Sequence, residues 1–150
     1  MIRILFVCHG NICRSPMAEF VMKKLVNDKG LSGSFEISSA ATSSEELGNP
    51  VYPPVRRLLE SHGIDCSSKR ARLLKRSDYD SFDYVIGMDS ENIRNMIYIF
   101  GGDKDNKVHK LMDYCSGTDV ADPWFTRDFN RTWQDVNKGV NALLSHILSI

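Results

Sequence analysis

The chain has no net charge, no long apolar run and no clustered cysteines, and each absence removes a class of function. Nineteen acidic residues balance 19 basic ones over 150 residues, so no global field draws in nucleic acid or an anionic membrane. The short basic runs Lys69-Arg70-Ala71-Arg72 and Lys75-Arg76 read as a solvated face, with a basic rim to an anion pocket as the weaker option. Nothing approaches the roughly 18 consecutive apolar residues of a membrane span. Met1-Ile2-Arg3 runs directly into an apolar segment without the layout of a signal or transit peptide. Cys8, Cys13, Cys66 and Cys115 are too few for a disulfide scaffold. His9, His62, His109 and His146 are too scattered for a zinc motif. The expectation is a cytoplasmic, reduced protein with no metal and no cofactor, bound to neither nucleic acid nor membrane. No internal repeat or low-complexity tract is visible. A hydrophobic content of 42% and a charged content of 25% are ordinary and predict a single domain, 1–150, with a full-sized core.

What is present is concentrated near the start. Residues 8–16 read Cys8-His9-Gly10-Asn11-Ile12-Cys13-Arg14-Ser15-Pro16, straight after the apolar run Ile2–Val7. That run is short and β-branched, which suits a strand buried on both faces of a parallel sheet. Ser15-Pro16 offers an N-cap side chain and a proline at the first helical position. The glycine-containing loop between strand and helix then holds Cys8 beside the positive end of a helix, where backbone N–H groups favour an anion. A thiolate there is stabilised and nucleophilic. Arg14, six residues on, presents a planar fork matched to two phosphate oxygens. The combination points to sulfur attacking phosphorus. Spacing alone would not carry this, because Cys66 and Arg72 also stand six apart; that pair lacks the strand, the glycine and the Ser-Pro start.

Along the rest of the chain, periodicity alternates between strand and helix. A first helix is expected from Pro16 to about Lys29, stopped by Gly30. Phe35–Ser38 reads as a second strand, Leu47–Pro54 as a loop, and Val55–His62 as a helix ended by Gly63. Tyr84–Met88 is a third strand, and Ser90 is the expected cap of a helix running to Phe100. Gly101-Gly102-Asp103 breaks it, and Val108–Leu111 is a fourth strand. In the last helix Trp133, Val136, Val140, Leu143, Ile147 and Ile150 form an apolar stripe at spacings of three and four. This order predicts an α/β fold: three layers, with a central four-stranded parallel sheet flanked by helices. Ligands bind such sheets at the carboxyl ends of the strands, where Cys8 lies.

The segment Cys8–Pro16 resembles the signature of the low-molecular-weight protein tyrosine phosphatases. Chain length, element order and the late Asp122-Pro123 pair match as well, so the likeness covers the whole chain. The resemblance implies a phosphotyrosine protein or peptide as substrate, with Cys8 as nucleophile forming a phosphocysteine. Arg14 and the loop His9, Gly10, Asn11, Ile12 and Cys13 then bind the phosphoryl group. It further implies that Asn11 holds the loop in shape, that Ser15 donates a hydrogen bond to Cys8, and that Ser39 supports Asn11. The chemistry also demands an acid, because a phenolate leaves only when its oxygen is protonated. Asp122 is the best candidate, since proline fixes the residue before it in extended geometry; Asp119 is the fallback. Paired thiolate and acid predict a bell-shaped pH profile with its maximum near pH ~5–6.5.

Trp124 and Phe125 are placed to flank an aromatic leaving group. Ile12 stands where related arginine phosphatases carry a threonine, which favours phosphotyrosine over phosphoarginine. Cys13 is either a core filler or a resolving thiol for oxidised Cys8, and Asp89 is expected to anchor a neighbouring loop. Two features depart from the family pattern. The loop Ser43-Ser44-Glu45-Glu46-Leu47-Gly48 carries acids where several relatives have a large aromatic, and no histidine occurs near Ser68. A thiol-dependent arsenate reductase would need a cysteine relay, which the spacing of Cys66 and Cys115 does not supply. A non-catalytic phosphate-binding module would have no use for Asp122. The expected state is a monomer, with weak self-association through exposed aromatics as the alternative.

Overall fold

The computed structural model describes residues 1–150. Four parallel strands, β1 (Ile2–Cys8), β2 (Phe35–Ala41), β3 (Tyr84–Gly87) and β4 (Val108–Lys110), form one sheet in the order β2-β1-β3-β4. The apolar run is thus the central strand, paired in parallel with β2 on one side and β3 on the other. Alternation along β1 sends Ile4, Phe6 and Cys8 into one core and Leu5 and Val7 into another. The larger core lies under α1 (Arg14–Asp28), α2 (Pro53–Ser61) and α6 (Phe129–Leu148). The smaller lies under α3 (Asp78–Ser81) and α4 (Ser90–Phe100), where Tyr79, Phe82, Met96 and Phe100 cover the sheet. A short helix, α5 (Pro123–Thr126), completes the set. The three-layer α/β architecture matches the reading of the sequence.

Several local expectations shift. Helix α1 begins at Arg14, not Pro16, with Cys13 before it and no side-chain cap. Ser15 is therefore inside the helix, its hydroxyl turned to Cys8 and Asn11 instead of to the helix end. Pro16 is tolerated at the third position because the first-turn N–H groups have no intrahelical acceptor. In α4 the cap is Asp89, not Ser90: Asp89 Oδ1 accepts from Asn92 N at 2.8 Å, and Asn92 Oδ1 accepts from Asp89 N at 3.1 Å. The apolar stripe of α6 ends at Ile147, because Ile150 lies beyond the helix and is exposed. Gly139 sits within that stripe for a steric reason. A Cβ there would stand 2.5 Å from Leu111 Cγ, so the glycine lets α6 approach the turn after β4.

Candidate active site

The loop between β1 and α1 is built around Asn11, which adopts φ 58°. Left-handed backbone is tolerated by asparagine better than by most residues. Here it turns the chain so that Asn11 N donates to Cys8 Sγ at 3.3 Å. Ser15 Oγ lies 3.0 Å from the same sulfur. The Asn11 amide is used completely: Nδ2 donates to Ser15 Oγ at 2.8 Å and to Ser39 Oγ at 2.9 Å, while Oδ1 accepts from Arg72 N at 3.2 Å. Ser39 in turn donates to Glu19 Oε1. Glu19 is buried, accepts from Lys23 Nζ at 2.6 Å, and has Lys69 Nζ 3.7 Å from Oε1.

The order of these bonds fixes their direction. A carboxylate only accepts, so the Ser39 proton points to Glu19 and the Ser39 oxygen remains free for Asn11. Asn11 also donates to Ser15, which leaves the Ser15 proton for Cys8. Lys69 approaches the same serine from the next segment, and its Nζ donates to Ser39 O at 3.0 Å. Burial pushes the Lys69 ammonium below the ordinary lysine range, and Glu19 acts against that shift.

Arg14 forms the floor of the cleft, with its side chain only 3% exposed. Nη1 donates to Asp89 Oδ2 at 2.7 Å and to Val120 O at 2.8 Å; Nη2 stands 3.4 Å from Asp122 Oδ2. Burial works against its charge, but Cys8, Asp122 and Asp89 outweigh burial and hold it more firmly protonated than a free guanidinium. Asp89 therefore does more than anchor a loop, because one side chain both caps α4 and aims the arginine. Cys13 lies in the same cleft, its thiol pushed far up by burial and then by Cys8 and Asp122, so it remains protonated at neutral pH.

Cys8, His9, Gly10, Ile12, Cys13, Arg14, Asp122, Trp124 and Phe125 line one cleft at the carboxyl end of β1. Asn11 and Ser15 stand buried behind it. Asp122 is the N-cap of α5, accepting from Trp124 N at 3.0 Å. Asp119 is elsewhere, accepting from Ser90 Oγ at 3.2 Å and Lys110 Nζ at 3.0 Å. Partial burial raises its proton affinity, but those donors hold it below the usual carboxylate range. Cys66 lies in the larger core, and neither it nor Cys115 lines the cleft. Two contributors went unnoticed in the sequence: Glu19, and Lys69, which was expected on a solvated basic face but is largely buried against Ser39 and Glu19. Only the charges of Glu45 and Glu46 were visible as a departure; nothing local to Glu19 or Lys69 marks the pairing.

The family model for low molecular weight phosphotyrosine protein phosphatase matches residues 3–149. The chain belongs to that family. The low molecular weight protein-tyrosine-phosphatase YfkJ of Bacillus subtilis is 38% identical over 150 residues, covering 98% of this chain and 96% of that protein. The crystal structure of YfkJ superposes with a TM-score of 0.95, covering 99% of this chain and 96% of that one. The low molecular weight protein tyrosine phosphatase of Streptococcus pyogenes gives a TM-score of 0.88 at 40% identity, over 97% of this chain and 93% of its own. A Drosophila arginine phosphatase has a TM-score of 0.89 at 28% identity, covering 97% and 98% of the two chains. The family fold is thus complete in this chain, which is a phosphatase acting on phosphoric monoesters.

Proposed function

We propose that residues 1–150 act as one protein-tyrosine-phosphatase unit that works through a phosphocysteine on Cys8. The observation that carries this reading is the meeting of Cys8, Arg14 and Asp122 in one cleft, the arginine in contact with the acid. Cys8 Sγ attacks phosphorus while Arg14 and the N–H groups of the loop hold the equatorial oxygens. Ser15 and Asn11 N donate to the sulfur, which favours the thiolate both as attacking and as leaving group. As the P–O bond breaks, Asp122 gives its proton to the phenolate oxygen. A dianionic phosphoryl group against Arg14 supports this step, since a like charge beside the carboxylate favours its protonated form. In the second step Asp122 takes a proton from water, the water oxygen bonds to phosphorus, and Cys8 leaves as thiolate with release of inorganic phosphate.

Ile12 in the cleft and the exposed rings of Trp124 and Phe125 at its edge suit a phenyl group better than a guanidinium. Phosphotyrosine is accordingly the substrate, with phosphoarginine the second choice because a relative with that activity shares the fold. Cys13 shares the cleft with Cys8, either as a core filler or as a resolving thiol for oxidised Cys8. The enzyme is read as a cytoplasmic monomer; no helix is long and apolar enough to cross a membrane. Turnover of phosphotyrosine and phosphoarginine peptides measured side by side, with Cys8→Ser and Asp122→Asn, tests the reading. Phosphotyrosine turnover lost in the first variant and greatly slowed in the second is expected. A preference for phosphoarginine would overturn the substrate, and activity surviving Cys8→Ser would overturn the mechanism.

A further inference from the structure

We propose that Glu45 and Glu46 make this enzyme selective for phosphotyrosine flanked by lysine or arginine. The inference rests on the phosphotyrosine reading and names the class of protein chain that the same cleft takes. Both glutamates line the wall across which a substrate must enter. Neither is paired with a lysine or arginine. Glu45, with 71% of its side chain exposed, has only His9 Nε2 at 3.2 Å, and Glu46 accepts from the neutral Asn49 amide at 2.6 Å. Even with the His9 imidazole charged, the wall holds two carboxylates against one cation. The nearby cations are engaged by other groups and pair with neither glutamate. Arg70, bridged to Pro50 at the end of the same loop, donates to the carbonyls of Ser67 and Lys69. Arg127 lies over the rings of Tyr52 and Trp124 and donates to Tyr52 Oη at 3.0 Å.

Two carboxylates without a lysine or arginine partner, at the mouth of a site for a dianion, repel the phosphate unless the substrate brings its own positive charge. Once the phosphate is seated on the buried Arg14, only residues next to the phosphotyrosine reach the rim. Lysine or arginine there gains an ion pair with Glu45 or Glu46, and aspartate or glutamate meets like charge. Exposed pairs of this kind are weak, so the discrimination is modest and depends on salt.

The test uses three phosphotyrosine peptides of equal length whose flanking residues are all neutral, lysine or aspartate. At low ionic strength kcat/KM is expected to favour the lysine peptide over the aspartate peptide by about three- to tenfold, as exposed ion pairs allow. The ratio should shrink towards one at high salt and in Glu45→Gln/Glu46→Gln, and should invert in Glu45→Lys/Glu46→Lys. The single Glu45→Gln change, at an exposed position, keeps the test open if the double variant is unstable. Equal turnover of all three peptides, or a preference that survives loss of both carboxylates, overturns the selectivity and leaves the phosphatase reading intact. Failure to turn over even the neutral peptide removes the phosphotyrosine reading itself, and the selectivity with it.

Discussion

The two walls of the cleft are held in different ways. On one side Cys8 sits on a loop whose polar groups are satisfied by a buried chain, Asn11 to Ser15 and Ser39, and Ser39 to Glu19. Asn11, Ser15, Ser39 and Glu19 are each at most 4% exposed. On the other side Asp122 caps a four-residue helix, with 25% of its side chain exposed and the Phe125 ring next to it 80% exposed. The nucleophile and its anion cradle are preorganised by buried bonds, whereas the acid and the aromatic rim are held by fewer contacts and face solvent. Preorganised donors act at the transition state without reorganisation, and the exposed rim leaves room for the leaving group to lie against it. Arg14 joins the two walls, held by Asp89 and Val120 O and in contact with Asp122.

Substitution at the reacting atoms breaks the comparison most severely. Cys8→Ser is expected to reduce phosphotyrosine turnover to background, while Asp122→Asn retains the nucleophile and loses about 10²–10⁴-fold in kcat, the usual worth of general acid catalysis. Single-turnover measurements with a leaving group that needs no proton separate the two. Asp122→Asn should recover much of its phosphorylation rate there, and Cys8→Ser none. Next in size is Asp89→Asn, which keeps an oxygen to cap α4 but removes the charge that aims Arg14. A charge-assisted hydrogen bond is worth about 1.5–3 kcal/mol, so kcat/KM should fall roughly 10–150-fold, with a loss of stability as well because the buried Arg14 loses a partner. A fall in stability with unchanged kinetics would show that Asp89 matters only as a cap.

The buried chain behind the loop gives a smaller effect with a distinctive pH signature. Glu19→Gln removes the only anion of the chain and leaves Lys69 without its counter-charge. The expected cost is about 1–3 kcal/mol of stability, that of an unsatisfied buried group, together with a slower phosphorylation step. The sign of the pH dependence follows from Lys69. Its proton affinity is lowered in the folded state, chiefly by burial, so the unfolded chain binds the proton more tightly. Folding therefore carries a penalty while Lys69 is charged in both states, and that penalty fades as pH rises through the folded value towards the ordinary ~10.4. Denaturant unfolding at pH 7 and pH 10 should show this gain growing in Glu19→Gln and vanishing in Lys69→Met. An identical pH response in all three proteins would mean that the pairing is not felt.

How much of this was legible in the sequence depended on distance along the chain. Strand, glycine loop, arginine and proline lie within fifteen residues of one another, and Asp122 is marked by the proline beside it, so both walls were readable. The links between distant segments were not. Asp89 is 75 residues from Arg14, and Val120 O is 106; no periodicity marks such pairs. Glu19 reads as one more polar residue of α1 until the fold brings Ser39 and Lys69 against it. Ser-Pro is a sound local signal for a helix cap, yet Ser15 lies inside the helix; the resemblance, not the local pattern, points its hydroxyl to Cys8, where it lies. The left-handed turn at Asn11 starts the helix early and redirects that hydroxyl to the sulfur. The end of α6 was overextended for a similar reason: spacing continues the stripe to Ile150, but the helix stops at Leu148 and the last side chain meets solvent.

The smallest expected effect is at the rim, and it distinguishes the two walls most cleanly. The Phe125 ring supports nothing beneath it, so Phe125→Ala should alter stability by less than ~0.5 kcal/mol, as surface substitutions do. Its contribution arises only when a leaving group lies against it. Truncation removes apolar contact made equally in the bound ground state and the transition state. KM for a phosphotyrosine peptide should then rise a few-fold while kcat is retained, the pattern of lost uniform binding. A fall in kcat at constant KM would instead mean that the ring holds Asp122 in place, and the acid wall would then be as preorganised as the nucleophile loop.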